Sequence, residues 1–122
     1  MADVTILHNT RCSTSRHALA AAGEAGADVE VVEYLKHPLT PEQLRDLLAK
    51  LEDEPSALVR RDPAFKEAGL SDADVASADQ VVAVLTDHPR LMQRPVLVRG
   101  DRAIIGRPKE RVSRFLSEDP TG

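Results

Sequence analysis

The apolar positions of this chain fall into short blocks whose spacing predicts its elements. Val4-Thr5-Ile6-Leu7 is a β-prone run that breaks at once into the polar loop His8-Asn9-Thr10-Arg11. Cys12-Ser13-Thr14-Ser15 leads into an alanine-rich stretch from Arg16 to Ala25 with high helix propensity, and Gly26 is placed to end that helix. Val29, Val31, Val32 and Tyr34 read as a second strand. Strand, loop, helix, strand is the order of a βαβ unit.

The middle third predicts helices. Thr40-Pro41-Glu42-Gln43 carries a capping threonine, a proline in the first turn and a glutamine three residues after the cap. Leu44, Leu47, Leu48 and Leu51 then follow at i, i+3, i+4 and i+7, one face of a helix. The polar joint Glu52-Asp53-Glu54-Pro55 ends it. Ser77-Ala78-Asp79-Gln80 repeats the capping pattern before Val81, Val82, Val84 and Leu85, and His88-Pro89 closes that helix. Residues 60–76 read as short turns without a defined element. Val96-Leu97-Val98, the turn Arg99-Gly100-Asp101 and Arg102-Ala103-Ile104-Ile105 predict a hairpin. Gly106-Arg107-Pro108 opens a last helix with Val112, Phe115 and Leu116 on its core face, and 117–122 reads as a frayed tail. The sum is an α/β chain, βαβ–ββα, with a helical insertion over about residues 40–90 between the second and third strands. No internal repeat is visible.

Composition narrows the classes open to such a fold. A chain of 122 residues is read as one domain, 1–122, which buries enough surface to need no metal or disulfide. Its single cysteine excludes an internal disulfide framework, a Cys-x-x-Cys redox pair and a cysteine-rich zinc site. Met1 to His8 lacks the pattern of a signal peptide, and no apolar stretch is long enough to span a bilayer. A cytoplasmic protein without membrane association is therefore expected. The net charge of −4 argues against nonspecific nucleic-acid binding. That total hides an asymmetry, because residues 90–114 hold seven arginines and Lys109 against only Asp101 and Glu110. For each arginine alone a solvated surface position is the ordinary reading; their clustering makes a site for a small anion worth testing.

Cys12, between a strand-loop and a helix start, carries the most specific chemistry. A thiolate there faces the unpaired N–H groups of Ser13, Thr14 and Ser15 and the positive end of the helix dipole. A dipole effect of about 0.3–2 kcal/mol takes an ordinary thiol from about 8.5 toward 7, and the flanking Arg11 and Arg16 act in the same direction. The same N–H groups suit a tetrahedral oxyanion. The competing reading is a buried structural cysteine, which its polar and basic neighbours disfavour. A phosphatase-type Cys-x5-Arg loop is excluded, since Arg16 gives Cys-x3-Arg and Ala18 holds the sixth position after Cys12. His8 has two readings, a partner of the thiolate or a cap on the strand end. Ser15 also has two, a hydrogen bond to the sulfur or a helix cap. His17, His37 and His88 read as surface residues, and no cluster of metal ligands is present in the sequence. Arg94 precedes Pro95, whose bond is a candidate for cis although trans is the commoner form at a strand entry.

Together, His8-Asn9-Thr10-Arg11-Cys12-Ser13-Thr14-Ser15-Arg16, Leu58-Val59-Arg60-Arg61, Gln93-Arg94-Pro95-Val96 and Ile105-Gly106-Arg107-Pro108 carry a family resemblance. The chain resembles the arsenate reductase family of the thioredoxin fold, the glutathione- and glutaredoxin-linked type, from Val4 to about Leu116. That family usually has proline where this chain has Thr10. The resemblance implies a thioredoxin-like fold, Cys12 as nucleophile, Arg60, Arg94 and Arg107 as ligands of arsenate or a similar oxyanion, and Pro95 as the cis-proline facing the cysteine. His8, Ser15 and Arg16 fall in supporting positions. It implies no bound cofactor or metal. With Ser15 where a second cysteine would stand, an external thiol must complete the reduction, and the resemblance implies glutathione, with glutaredoxin resolving the mixed disulfide. The bias of 12 arginines to 4 lysines hints at a GC-rich genome, where mycothiol replaces glutathione. Two other functions fit the fold: a thiol reductase with another substrate, and an Spx-type regulator binding RNA polymerase. A monomer is expected.

Overall fold

In the computed structural model, which describes residues 4–107 and 110–117, four strands form one mixed sheet in the order β2-β1-β3-β4. Strand β1 (Val4–Leu7) pairs parallel with β2 (Val29–Val32) and antiparallel with β3 (Val96–Arg99), which pairs antiparallel with β4 (Arg102–Ile105). The period-2 alternation of these strands divides the core in two. In register, Ile6, Leu97 and Ile104 face one side, where they pack with α1 (Ser13–Glu24) and α5 (Glu110–Ser117). Leu7, Val96 and Ile105 face the other side, covered by the insert helices α2 (Pro41–Lys50), α3 (Pro63–Glu67) and α4 (Ala78–Asp87). This is the thioredoxin-like arrangement with a helical segment between β2 and β3. No described helix is long and apolar enough to cross a membrane.

The punctuation in the sequence acts as expected at most boundaries. Thr40 and Ser77 each form a complete capping box with the glutamine three residues on. Gly26, at φ +74°, closes α1: its N–H donates to the Gly23 carbonyl and that of Ala27 to the Ala22 carbonyl, satisfying the last turn. Val81, Val82, Val84, Leu85, Leu44 and Leu47 are buried as the helical spacing requires.

Other boundaries differ. Helix α1 starts at Ser13, three residues before the alanine-rich stretch, so Cys12 itself is the N-cap. Strand β2 ends at Val32, and Tyr34 turns into the core beyond it, 1 % exposed. Arg99 belongs to β3, leaving Gly100 and Asp101 as the turn, with Gly100 at φ +62°. Within 60–76, Asp62 caps α3 through the Phe65 N–H, and a 3-10 turn spans Asp72–Val75. Phe65 and Val75 are buried, and tertiary packing of this kind, rather than propensity, holds such short pieces. Leu116 is only partly buried, whereas Val112 and Phe115 are in the core. Ser117, read as the start of a frayed tail, is instead the last residue of α5, while Pro108 and residues 118–122 lie outside the described residues.

Candidate active site

The site forms at the C-terminal end of β1, where the central strand delivers a loop and a helix N-terminus. The His8 N–H continues the β1–β2 ladder to the Val32 carbonyl at 2.8 Å. Asn9 then organises the turn: its side-chain oxygen accepts from the Arg11 N–H at 2.9 Å and its carbonyl from the Cys12 N–H at 3.0 Å. The first helical bond runs from the Arg16 N–H to the Cys12 carbonyl. This geometry places the thiol over the first turn of α1.

Cys12 is 7 % exposed, so it is buried, yet its surroundings are polar. Burial raises its pKa; the backbone N–H of Ser15, the Arg94 guanidinium, the Thr14 N–H and the Arg107 charge outweigh that and hold it below the free thiol value. Arg107 donates from Nη2 to Sγ at 3.3 Å and from Nε to the Arg94 carbonyl at 2.7 Å. Arg11 and Arg16, expected to help, are exposed and are not among the groups that lower it.

The hairpin brings Arg94 and Arg107 together. Val96 pairs with Ile105, so one step outward Pro95 meets Gly106, whose N–H donates to the Pro95 carbonyl at 2.8 Å, and the next step sets Arg94 beside Arg107. The Arg94–Pro95 bond is cis, and Pro95 is buried. Gly106 is required by close packing: a Cβ there would lie 2.8 Å from Pro95 Cγ and 3.0 Å from Leu97 and Val112 methyl groups. Arg60 is aligned differently. Val59 bridges to Met92, the Arg60 N–H donates to the Leu91 carbonyl and that of Gln93 to the Leu58 carbonyl. Arg60 thus shares with Asn9 and Arg94 the wall of an open hollow, but its guanidinium is paired with Asp62 at 3.2 Å. It does not reach the sulfur directly.

His8 extends the strand end through its backbone N–H, one of its two expected roles, while its side chain and that of Ser15 engage each other. His8 and Ser15 are both buried, and Ser15 Oγ lies 2.7 Å from His8 Nδ1 while accepting the Asn9 N–H at 3.0 Å. Burial, with the Arg16 charge, holds His8 below its ordinary pKa against the pull of Glu33. His8 Nδ1, Ser15 Oγ and the Asn9 N–H thus form one hydrogen-bonded unit. His8 Nδ1 is engaged by Ser15 Oγ rather than by the sulfur, and Ser15 Oγ by His8 and the Asn9 N–H; together they tie the loop to the helix. Arg16 acts on His8, whose pKa its charge helps to lower. His17, His37 and His88 are exposed.

Sequence reasoning missed Asn9 as the organiser of the loop, and it missed Tyr34. The signal for Tyr34 was its being the sole tyrosine in a chain with 2 % aromatic residues.

A thioredoxin-like sheet with a lone, activated cysteine at a helix N-terminus, met by arginines from a hairpin that opens on a cis-proline, defines a class of thiol-based redox proteins. Within that class the chain belongs to the ArsC family, whose model matches residues 7–115. It is similar to the arsenate reductase of Neisseria meningitidis serogroup A (36 % identical over 118 residues, 95 % of this chain and 100 % of the relative). It is also similar to the uncharacterized protein YfgD of Escherichia coli K12 (39 % over 111 residues, 89 % and 92 %). Among solved structures, the arsenate reductase from Vibrio cholerae superposes with a TM-score of 0.81 at 35 % identity, covering 91 % of this chain and 95 % of that one.

Proposed function

We propose that this protein reduces arsenate to arsenite in the cytoplasm through a covalent adduct on Cys12, using an external thiol as reductant. The observation that carries the reading is the Arg107 Nη2–Cys12 Sγ contact of 3.3 Å, in a site where Arg94 and Arg107 pair with no carboxylate among the described residues. An oxyanion dianion is repelled by a thiolate unless fixed cations stand beside it, and guanidinium groups bind tetrahedral oxygens in bidentate fashion. Arg94, Arg107 and the α1 N-terminus supply that compensation, and Arg60 contributes from the adjoining hollow by exchanging Asp62 for the anion.

In this mechanism the Cys12 thiolate attacks arsenic, an As–O bond breaks, and the oxygen leaves as water after protonation. A thiolate of the external donor then attacks Cys12 Sγ. The S–As bond breaks with its electron pair passing to arsenic, which leaves as arsenite, and Cys12 is left in a mixed disulfide. A second thiol, from glutaredoxin or an equivalent, releases Cys12 as a thiolate. Two thiols are oxidised for one arsenic reduced. The donor is glutathione or, in its place, mycothiol.

The test is arsenate-dependent NADPH oxidation with each complete thiol system in turn: glutathione with glutaredoxin and its reductase, and mycothiol with its own. Turnover with either supports the reading. Turnover with neither favours a thiol reductase for another substrate, a second reading given weight by the likeness to a relative without an assigned activity.

A further inference from the structure

Two buried polar atoms beside Cys12 have no hydrogen-bond partner among the described residues. One is Arg94 Nε; the other is the hydroxyl of Tyr34, a residue 1 % exposed. The Tyr34 ring is packed in the same cluster as Leu7, Val59, Met92 and Val96. Each of these adjoins the site along the chain, before His8, before Arg60 and on either side of Arg94-Pro95. The ring thus lies beneath the site on the insert side of the sheet. Its hydroxyl lies within electrostatic reach of Arg94, Arg60 and Cys12, and the Asn9 side-chain amide is its nearest hydrogen-bonding neighbour, close enough to act on the phenol but outside good hydrogen-bond geometry. A phenylalanine would fill the apolar volume without burying an unsatisfied O–H, which is costly to leave unmade.

We propose that the Tyr34 hydroxyl is a hydrogen-bond donor to the tetrahedral oxyanion bound over Cys12, acting beside Arg94 Nε. The inference rests on the oxyanion reading of the Cys12 site. Burial, which leads, and the Cys12 charge raise the phenol's pKa against the opposing Arg94, Asn9 and Arg60, so it is a donor at neutral pH. No proton changes hands. The hydrogen bond strengthens as charge builds on the oxygens during thiolate attack, which is where a fixed donor is most effective.

The chain contains one tyrosine and no tryptophan, so its tyrosine absorption band and tyrosine fluorescence report on Tyr34 alone. The experiment titrates the reduced protein with arsenate, phosphate and sulfate while following that signal. It then compares arsenate binding by calorimetry, and steady-state turnover, in wild type and Tyr34→Phe. A saturable shift of the tyrosine band is expected, with about 10-fold or greater loss of arsenate affinity and about 10- to 100-fold loss of kcat/KM in Tyr34→Phe. The Cys12 thiolate midpoint and the melting temperature should not fall, which a merely structural tyrosine would not predict. A band that responds to none of the three anions overturns the proposal, whether or not Tyr34→Phe folds. So does wild-type arsenate affinity and turnover in Tyr34→Phe. A response to phosphate or sulfate, in a protein that does not reduce arsenate, supports the role of Tyr34 and refutes arsenate as substrate.

Discussion

The two ends of the β3–β4 hairpin each carry a pair of arginines, and the two pairs have opposite fates. At the turn end, Arg99 and Arg102 face each other in register. Arg99 donates to the Leu116 carbonyl at 2.7 Å and the Phe115 carbonyl at 3.4 Å, capping the last turn of α5. Arg102 binds Glu52 through two bonds, 2.6 and 3.0 Å, and lies over the Phe115 ring at 5.2 Å. Nearby, Arg111 pairs with Asp53 at 2.9 Å, while the other Asp53 oxygen accepts the Ile105 N–H. At the open end, Arg107 binds a sulfur and a backbone carbonyl, and neither Arg107 nor Arg94 meets a carboxylate among the described residues. One strand pair therefore uses the same side chain for two purposes. Carboxylates and helix carbonyls engage the guanidinium groups at one end, and among the described residues no carboxylate does so at the other, which leaves positive charge for the thiolate.

Replacing the nucleophile breaks the comparison most severely. Cys12→Ser should lower arsenate-dependent NADPH oxidation to background, although it alters one atom; persistent turnover would mean that the open-end arginines serve no thiolate. Next come the arginines themselves. Arg107→Ala and Arg94→Ala should each reduce kcat/KM about 100-fold or more with little change in melting temperature. Arg102→Ala should leave kcat/KM within about 3-fold, and equal losses at both ends would erase the distinction. Gly106→Ala joins the two properties. Its Cβ would sit 2.8 Å from Pro95 Cγ, so urea denaturation should show a loss of about 1–3 kcal/mol, accompanied by a drop in turnover as the Arg94–Pro95 segment shifts.

The smallest effect belongs to the Arg102–Glu52 pair, whose side chains are 23 % and 39 % exposed. Arg102→Ala should cost less than about 1 kcal/mol. Arg102, ahead of the opposing burial, holds the Glu52 carboxyl below its ordinary pKa. A depressed carboxylate stabilises the fold above its unfolded pKa of about 4.3, and that contribution is lost as pH falls through the folded value. The difference in melting temperature between wild type and Arg102→Ala should therefore shrink in acid. A difference that grew there would show that the pair is not what Arg102 contributes.

Much of this fold was legible because local chemistry and tertiary packing agree. The capping boxes at Thr40 and Ser77, the glycine after α1 and the alternation in β1, β3 and β4 each specify their element within a few residues. Helix α3 and the Asp72–Val75 turn were not legible, since single buried anchors, Phe65 and Val75, hold them from across the structure. In the site, the motif around Cys12 pointed to the sulfur, and the arginines were singled out by resemblance. What each arginine binds was hidden. Nothing in the local sequence pairs Arg102 with Glu52, fifty residues apart. The His8–Ser15 contact was hidden for the same reason: it depends on how the Asn9 turn folds back on α1.

The most direct test of the account is the pH dependence of Cys12 thiolate absorbance near 240 nm, in wild type and in Arg107→Ala, Arg94→Ala and Arg102→Ala. A midpoint clearly below the free thiol value of about 8.5 is predicted for wild type and Arg102→Ala, with upward shifts in Arg107→Ala and Arg94→Ala. A wild-type midpoint at or above about 8.5, or a midpoint unmoved by removing the open-end arginines, would contradict it.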